Sequence, residues 1–145
     1  MKLGVLTGGG DCPGLNAVIR AIVRKACDVY GDQVFGFYDA WDGVLGQRYI
    51  ELTTKEVRGI LPRGGTILGT RRGSPFDMRD GVEKCKKTFK DLNLDALIVI
   101  GGNGSLTVAS ILHQQQGLPI IGVPKTIDND VVGTDATICY QTAVQ

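Results

Sequence analysis

Ala96-Leu-Ile-Val-Ile100, then Gly101-Gly-Asn-Gly-Ser105, then Leu106 to Gln115 reads as strand, tight loop and returning helix. Five apolar residues in a row leave no polar face. Such a run suits a strand covered on both sides, because a half-exposed strand would alternate with a period of two. The same order occurs near the start: Leu3-Gly-Val-Leu-Thr7, the loop Gly8-Gly-Gly-Asp-Cys-Pro-Gly14, and a predicted helix from Leu15 to Cys27 with apolar Leu15, Val18, Ile19, Ile22 and Val23 on one side. Pro119-Ile-Ile-Gly-Val123 is a further apolar strand, and Pro124 to Asp130 is its loop.

The rest fits between these units. Val34-Phe-Gly-Phe-Tyr38 has the aromatic and β-branched content of a strand. Thr53-Thr-Lys-Glu56 has the spacing of a capping box and predicts a short helix, and Asp80-Gly-Val-Glu83 predicts another running to about Leu92. Asp135 is placed to cap a last helix. Apolar strands alternating with helices predict an α/β fold, a doubly wound and mostly parallel sheet with helices on both faces, in a three-layer Rossmann-like sandwich. In such sheets ligands bind beyond the carboxyl ends of the strands, so Gly8 to Gly14, Gly101 to Ser105 and Pro124 to Asp130 are expected along one edge.

Composition narrows the functional classes. The chain has 145 residues, 43% of them hydrophobic, and a formal net charge of +1, which describes one globular unit with material for a core. Its basic residues are balanced by acids, so no nucleic-acid-binding stripe is present. No leader and no bilayer-length apolar run is seen, and a cytoplasmic protein without membrane partners is expected. Cys12, Cys27, Cys85 and Cys139 form no Cys-x-x-Cys pair, and His113 is the sole histidine. Free, mostly buried thiols are expected, with neither a zinc site nor a disulfide framework.

The chemistry gathers in the loops. Glycines allow a phosphate to approach main-chain N–H groups, and a helix starting just beyond adds the positive end of its dipole. Tight strand-to-helix turns use glycine without any ligand too, so each loop alone also fits a purely structural role. Neither early loop is a Walker A sequence or Gly-x-Gly-x-x-Gly. Leu61 to Phe76 is another glycine-rich stretch, whose Arg63, Arg71 and Arg72 suit either a phosphoryl clamp or solvated loop charge. Asp128 and Asp130 stand two apart, where one carboxylate can accept a proton and the other hold a divalent cation, although both are ordinary turn residues. Trp41 fits a stacking platform or the core equally.

The segments "GVLTGGGDCPGLNAVIR", "RGGTILGTRRG", "IGGNGSL" and "GVPKTIDNDVVGTD", in that order across essentially the whole chain, resemble the 6-phosphofructokinases. The resemblance implies phosphoryl transfer to the 1-hydroxyl of fructose 6-phosphate, with Mg²⁺ as cofactor and ATP or pyrophosphate as donor. It makes Asp128 the general base, with Thr126, Ile127 and Asp128 against the sugar and Asp130 beside Mg²⁺. It places Gly10 on the terminal phosphate, Arg72 between donor and acceptor phosphates, and Arg71, Gly73, Gly102, Asn103, Gly104 and Ser105 around the donor.

Asn103 stands where the family usually has a Mg²⁺-holding aspartate, which puts a metal role at that position in doubt. Gly104 resembles the ATP-using branch and Lys125 the pyrophosphate-using branch; the pair together resembles ATP users. Residues 1–145 then form a nucleotide- and phosphate-binding domain cut off at its carboxyl end, a fragment or half of a split protein. A second domain completes the cleft in the family, and the full-length form is expected to be a homo-oligomer of two or four subunits. Arg20 and Arg24 match part of the family's effector site, where Thr54 replaces a common basic residue. Two rivals are a dinucleotide-binding domain using Asp39 on ribose hydroxyls, which lacks the glycine fingerprint, and a lipid or NAD kinase, which lacks "PKTIDND" and "GTRRG". A non-catalytic regulatory or scaffold relative is the third.

Overall fold

The computed structural model describes residues 1–10, 14–126 and 138–139, with backbone alone for Thr126, Ile138 and Cys139. Six strands form one sheet in the order β3-β2-β1-β4-β5-β6. They are β1 (Lys2–Thr7), β2 (Gln33–Phe37), β3 (Tyr49–Leu52), β4 (Ala96–Gly101), β5 (Ile120–Thr126) and β6 (Ile138–Cys139). All neighbouring pairs are parallel except β2 with β3. The helices are α1 (Leu15–Val23), α2 (Trp41–Gly46), α3 (Gly81–Asp91) and α4 (Asn103–Gln116).

The central strands separate two cores. On β4, Ile100 belongs to one cluster with Val5, Leu15, Ile19, Val23 and Val34, and Ile98 packs against it. Leu97 and Val99 face the other, with Leu6, Phe37, Trp41, Phe89 and Leu112. Alternate side chains point to opposite faces, so both sets must be apolar for both faces to be covered. This is why the strand reads as unbroken apolar sequence. Helix α1 covers one face; α2, α3 and α4 cover the other.

Strand β1 leads through α1 to β2 on one side, whereas β4 leads through α4 to β5 on the other. Right-handed crossovers in opposite directions put α1 and α4 on opposite faces, and the chain diverges between the ends of β1 and β4. The register aligns those ends: Thr7 lies beside Ile100, and Gly101 beside Pro124.

Several expectations change in detail. The first helix continues past Val23 in a wider π-helical winding over Arg24–Val29, where Ala26 and Cys27 reach the core. The Thr53 box forms its bonds, with Thr53 N–H donating to Glu56 Oε2 at 2.7 Å and Lys55 N–H to Thr53 Oγ1 at 3.3 Å. No helix follows, because the segment makes i to i+3 turns and ends at Gly59 with φ +77°. Asp80 precedes α3 without a side-chain cap, since its φ of −107° and ψ of 16° are not the extended geometry of a capping residue. Strand β3 and helix α2 were not anticipated. The short link between β2 and β3 returns the chain antiparallel, where a parallel return requires a longer crossover. Trp41 is 2% exposed and fills the second core, so it offers no stacking surface.

Among the described residues Cys27 and Cys85 are free thiols, Cys85 buried and Cys27 half-buried; Cys12 lies outside them, and the side chain of Cys139 is not described. Burial pushes the Cys85 thiol up to about 12. A raised folded-state value means the thiol's contribution to stability is complete below the unfolded value near 9.0 and is lost as pH rises toward about 12. Unfolding free energy should therefore fall across that window in wild type and fall less in Cys85→Ala. Urea melts at stepped pH check this, and identical slopes for the two proteins would contradict the burial account.

Candidate functional site

The first two glycine-rich loops meet at Ser105. A Cβ on Gly101 would stand 2.5 Å from Ser105 Cβ and 3.5 Å from the Gly8 carbonyl oxygen, and one on Gly8 would collide with Ser105 Oγ. Gly8 N–H donates to Ile100 O at 2.8 Å, tying the end of β1 to β4. These glycines are packed by protein. Gly10 and Gly104 differ, because a Cβ on either meets none of the described residues within 4 Å.

Both helices that begin at these loops start without a side-chain cap. Helix α1 follows Gly14, at φ 99°, and α4 follows Gly102; neither has a side-chain cap or an acidic residue in its first turn. In the first turn of α1 the Asn16 N–H donates to Gly65 O at 3.1 Å, and the positive dipole ends of both helices suit an anion. Asn103 and Gly104 are exposed and Ser105 half-buried in the first turn of α4.

The arginine-bearing loop is fastened against them. Asn16, 1% exposed, donates from Nδ2 to Arg63 O at 3.3 Å and Gly64 O at 3.2 Å, and its Oδ1 accepts from Ile67 N–H at 2.7 Å. Thr7 Oγ1 donates to Gly69 O at 2.8 Å and lies 3.0 Å from Thr66 Oγ1. Thr70 Oγ1 donates to Gly9 O at 2.5 Å. Arg71, Arg72 and Gly73 follow at once and are exposed, with Arg71 Nη1 2.6 Å from Asp42 Oδ2. A capping box then turns the chain, with Phe76 N–H donating to Ser74 Oγ at 3.0 Å and Ser74 N–H to Asp77 Oδ2 at 2.9 Å.

At the third loop, Lys125 is 5% exposed and its ammonium donates to the Gly10 carbonyl. A Cβ on Gly102 would lie 3.3 Å from the Lys125 carbonyl oxygen, so this loop adjoins the second. Thr126 ends β5. Ile127, Asp128 and Asp130 lie outside the described residues, as does Asp135. Among the described residues no three His, Cys, Asp or Glu side chains converge to hold a metal ion. What meets here is two helix amino termini and the Lys125 ammonium, a set that fits phosphate oxygens.

Asp39 is engaged elsewhere: its Oδ2 accepts from Arg48 Nη1 at 3.1 Å and its N–H donates to Leu68 O at 3.0 Å. On the far side of the domain Arg24 pairs with Asp28 at 2.6 Å, and Thr54 Oγ1 donates to Asp28 Oδ1 at 2.7 Å. Those two bonds, the Thr54 one foremost, hold the Asp28 carboxyl below its usual range. Asn16, Thr7, Thr66 and Thr70 were missed by sequence reasoning. The available signal was polarity out of place, an amide beside Leu15 on an apolar helix face and a hydroxyl closing an apolar strand. No helix among the described residues is long and apolar enough to cross a membrane.

Comparison with known proteins agrees with this geometry. Residues 2–145 match the family described as Phosphofructokinase. The chain is 55% identical to an ATP-dependent 6-phosphofructokinase 3 of Streptomyces coelicolor over 144 residues, covering 99% of this chain and 42% of the relative. It is 54% identical to a pyrophosphate–fructose 6-phosphate 1-phosphotransferase of the same organism, with the same coverage. The structure of Pichia pastoris phosphofructokinase in the T-state superposes with a TM-score of 0.91 at 35% identity, over 99% of this chain and 17% of that one. The chain belongs to the phosphofructokinase family and spans about two fifths of the length of the curated relatives it matches.

The two kinds of glycine should separate experimentally. Gly101→Ala should lose about 1–3 kcal/mol of stability, because its Cβ is driven into Ser105. Gly10→Ala, whose Cβ meets none of the described residues, should stay within about 0.5 kcal/mol of wild type. Urea denaturation measures both, and equal losses would make Gly10 a packing residue too.

Proposed function

We propose that this chain is the amino-terminal, donor-binding part of a 6-phosphofructokinase, transferring a phosphoryl group from ATP to the 1-hydroxyl of D-fructose 6-phosphate. The observation that carries the reading is the meeting of two uncapped helix starts at the diverging ends of β1 and β4, with the Lys125 ammonium and the Arg71–Arg72 segment tied to the first loop. Phosphoryl transfer asks the protein mainly for positioning and for neutralisation of charge on the moving group, and these parts supply both.

In this reading the Gly10 N–H and the first turn of α4, from Asn103 to Ser105, cradle the donor's phosphates, with Gly102 and Gly73 allowing close approach. Arg72 bridges donor and acceptor as charge develops, and Arg71 supports it from the same loop. Thr126 and Ile127 hold the sugar. Asp128 takes the proton from the 1-hydroxyl as its oxygen bonds to the terminal phosphorus, and the bond from that phosphorus to the leaving phosphate breaks. Mg²⁺, held by Asp130 and donor oxygens, would offset charge on the phosphates; neutral Asn103 is the weaker ligand. The remaining length of the protein would contribute the 6-phosphate pocket and subunit contacts.

Open space at Gly104 favours ATP, since a side chain there would meet the α-phosphate. Pyrophosphate is the second reading, favoured by the buried Lys125 ammonium beside Gly10, which suits a terminal phosphate from either donor. The similar relatives carry both names and do not divide the two.

In the full-length enzyme, Asp128→Asn should lower kcat on the order of 10²-fold or more with KM nearly unchanged, because a base is needed only as the proton leaves. Retention of most turnover would remove Asp128 from that role. Gly104→Asp should abolish ATP use by setting a carboxylate against the α-phosphate, in a space the fold leaves open. Initial rates with ATP and with pyrophosphate decide the donor, and a strong wild-type preference for pyrophosphate would contradict the ATP assignment.

A further inference from the structure

We propose that Thr70 is a positioning residue whose single hydrogen bond aligns two parts of the phosphate site, the Gly10 N–H and the Arg71–Arg72 segment. The bond runs from Thr70 Oγ1 to the Gly9 carbonyl oxygen at 2.5 Å, across a sequence separation of 61 residues. In a planar trans peptide the N–H points opposite to the C=O. Holding the Gly9 carbonyl toward Thr70 therefore turns the Gly10 N–H the other way and keeps it there. Gly9, at φ +82°, has the freedom to rotate that peptide if the bond is lost. From the other side, Thr70 immediately precedes Arg71, so the same bond fixes the backbone that carries both arginines.

The neighbouring bonds show that the loop is held for position. Upstream it is anchored by buried Asn16, through Arg63 O, Gly64 O and Ile67 N–H, and by Thr7 through Gly69 O. Those anchors fix the loop to α1 and β1. Among these bonds between described residues, the Thr70 one reaches the glycine loop, and Thr70 is only half-buried, outside both apolar cores. Replacing its hydroxyl by a methyl removes the bond and little packing.

The inference rests on the phosphotransferase reading, so its test has one arm that needs activity and one that does not. In the full-length enzyme, Thr70→Val should lower kcat about 10- to 100-fold, a loss typical of a small misplacement in a catalytic site, with an unchanged melting temperature. Thr70→Ser should restore most of it. In an Arg72→Met background, Thr70→Val should cost much less, because the residue it serves is gone. Losses that multiply independently, or a Thr70→Val enzyme with wild-type kcat, would overturn the proposal. The second arm follows hydrogen exchange in the ligand-free protein: Thr70→Val should speed exchange around Gly9–Gly10 and residues 70–73 and leave β1 and β4 unchanged. Unaltered exchange there overturns the positioning role whether or not the enzyme is active, whereas faster exchange in a protein inactive with both donors faults the function reading alone.

Discussion

Parallel pairing of β1 with β4, side chains buried on both faces and crossovers leaving in opposite directions, is the constraint from which the site follows. With both faces covered, polar chemistry is confined to the strand ends. With α1 and α4 on opposite faces, their amino termini flank the gap between those ends and are left without side-chain caps. An edge flanked by two helix amino termini is thus a product of topology, before any particular side chain is considered.

Glycine serves two separate purposes along this edge. Gly8 and Gly101 let the loops close on Ser105, and Gly43 lets α2 start under the Tyr38 carbonyl; a side chain at any of them meets protein. A Cβ on Gly10 or Gly104 meets none of the described residues within 4 Å, so packing against those residues does not explain them. Asn16 and Thr7 occupy main-chain carbonyls of the arginine loop, Thr70 occupies that of Gly9, and Lys125 that of Gly10. Carbonyl oxygens repel phosphate. Tying them to internal donors leaves a site dominated by N–H groups and cations.

Much of this was legible in the sequence wherever burial dictated a pattern. Leu3 to Thr7 and Ala96 to Ile100 read as strands because two-sided burial demands unbroken apolar runs; Pro119 to Val123 reads the same way although Ile121 is exposed, and the shared edge of the loops followed from parallel pairing. Strand β3 and α2 were not legible, since four and six residues show no usable period and their pairing depends on a distant neighbour. The Thr53 box forms its bonds yet starts no helix, which shows that a local capping signal does not supply the packing a helix needs. Trp41 carried no cue to its burial. Asn16 stood out only as an amide on an apolar helix face, and neither its partners nor that of Thr70 could be read, because they lie 47 to 61 residues away, beyond any local rule.

The most direct test of the account follows amide resonances of the ¹⁵N-labelled protein during titration with ATP·Mg²⁺ and, separately, pyrophosphate. The account predicts saturable shifts centred on Gly9, Gly10 and Asn103 to Ser105, with little change on the face of the sheet beneath α1. Shifts confined to other surfaces, or none at millimolar ligand with either donor, would contradict a phosphate site at the β1–β4 edge.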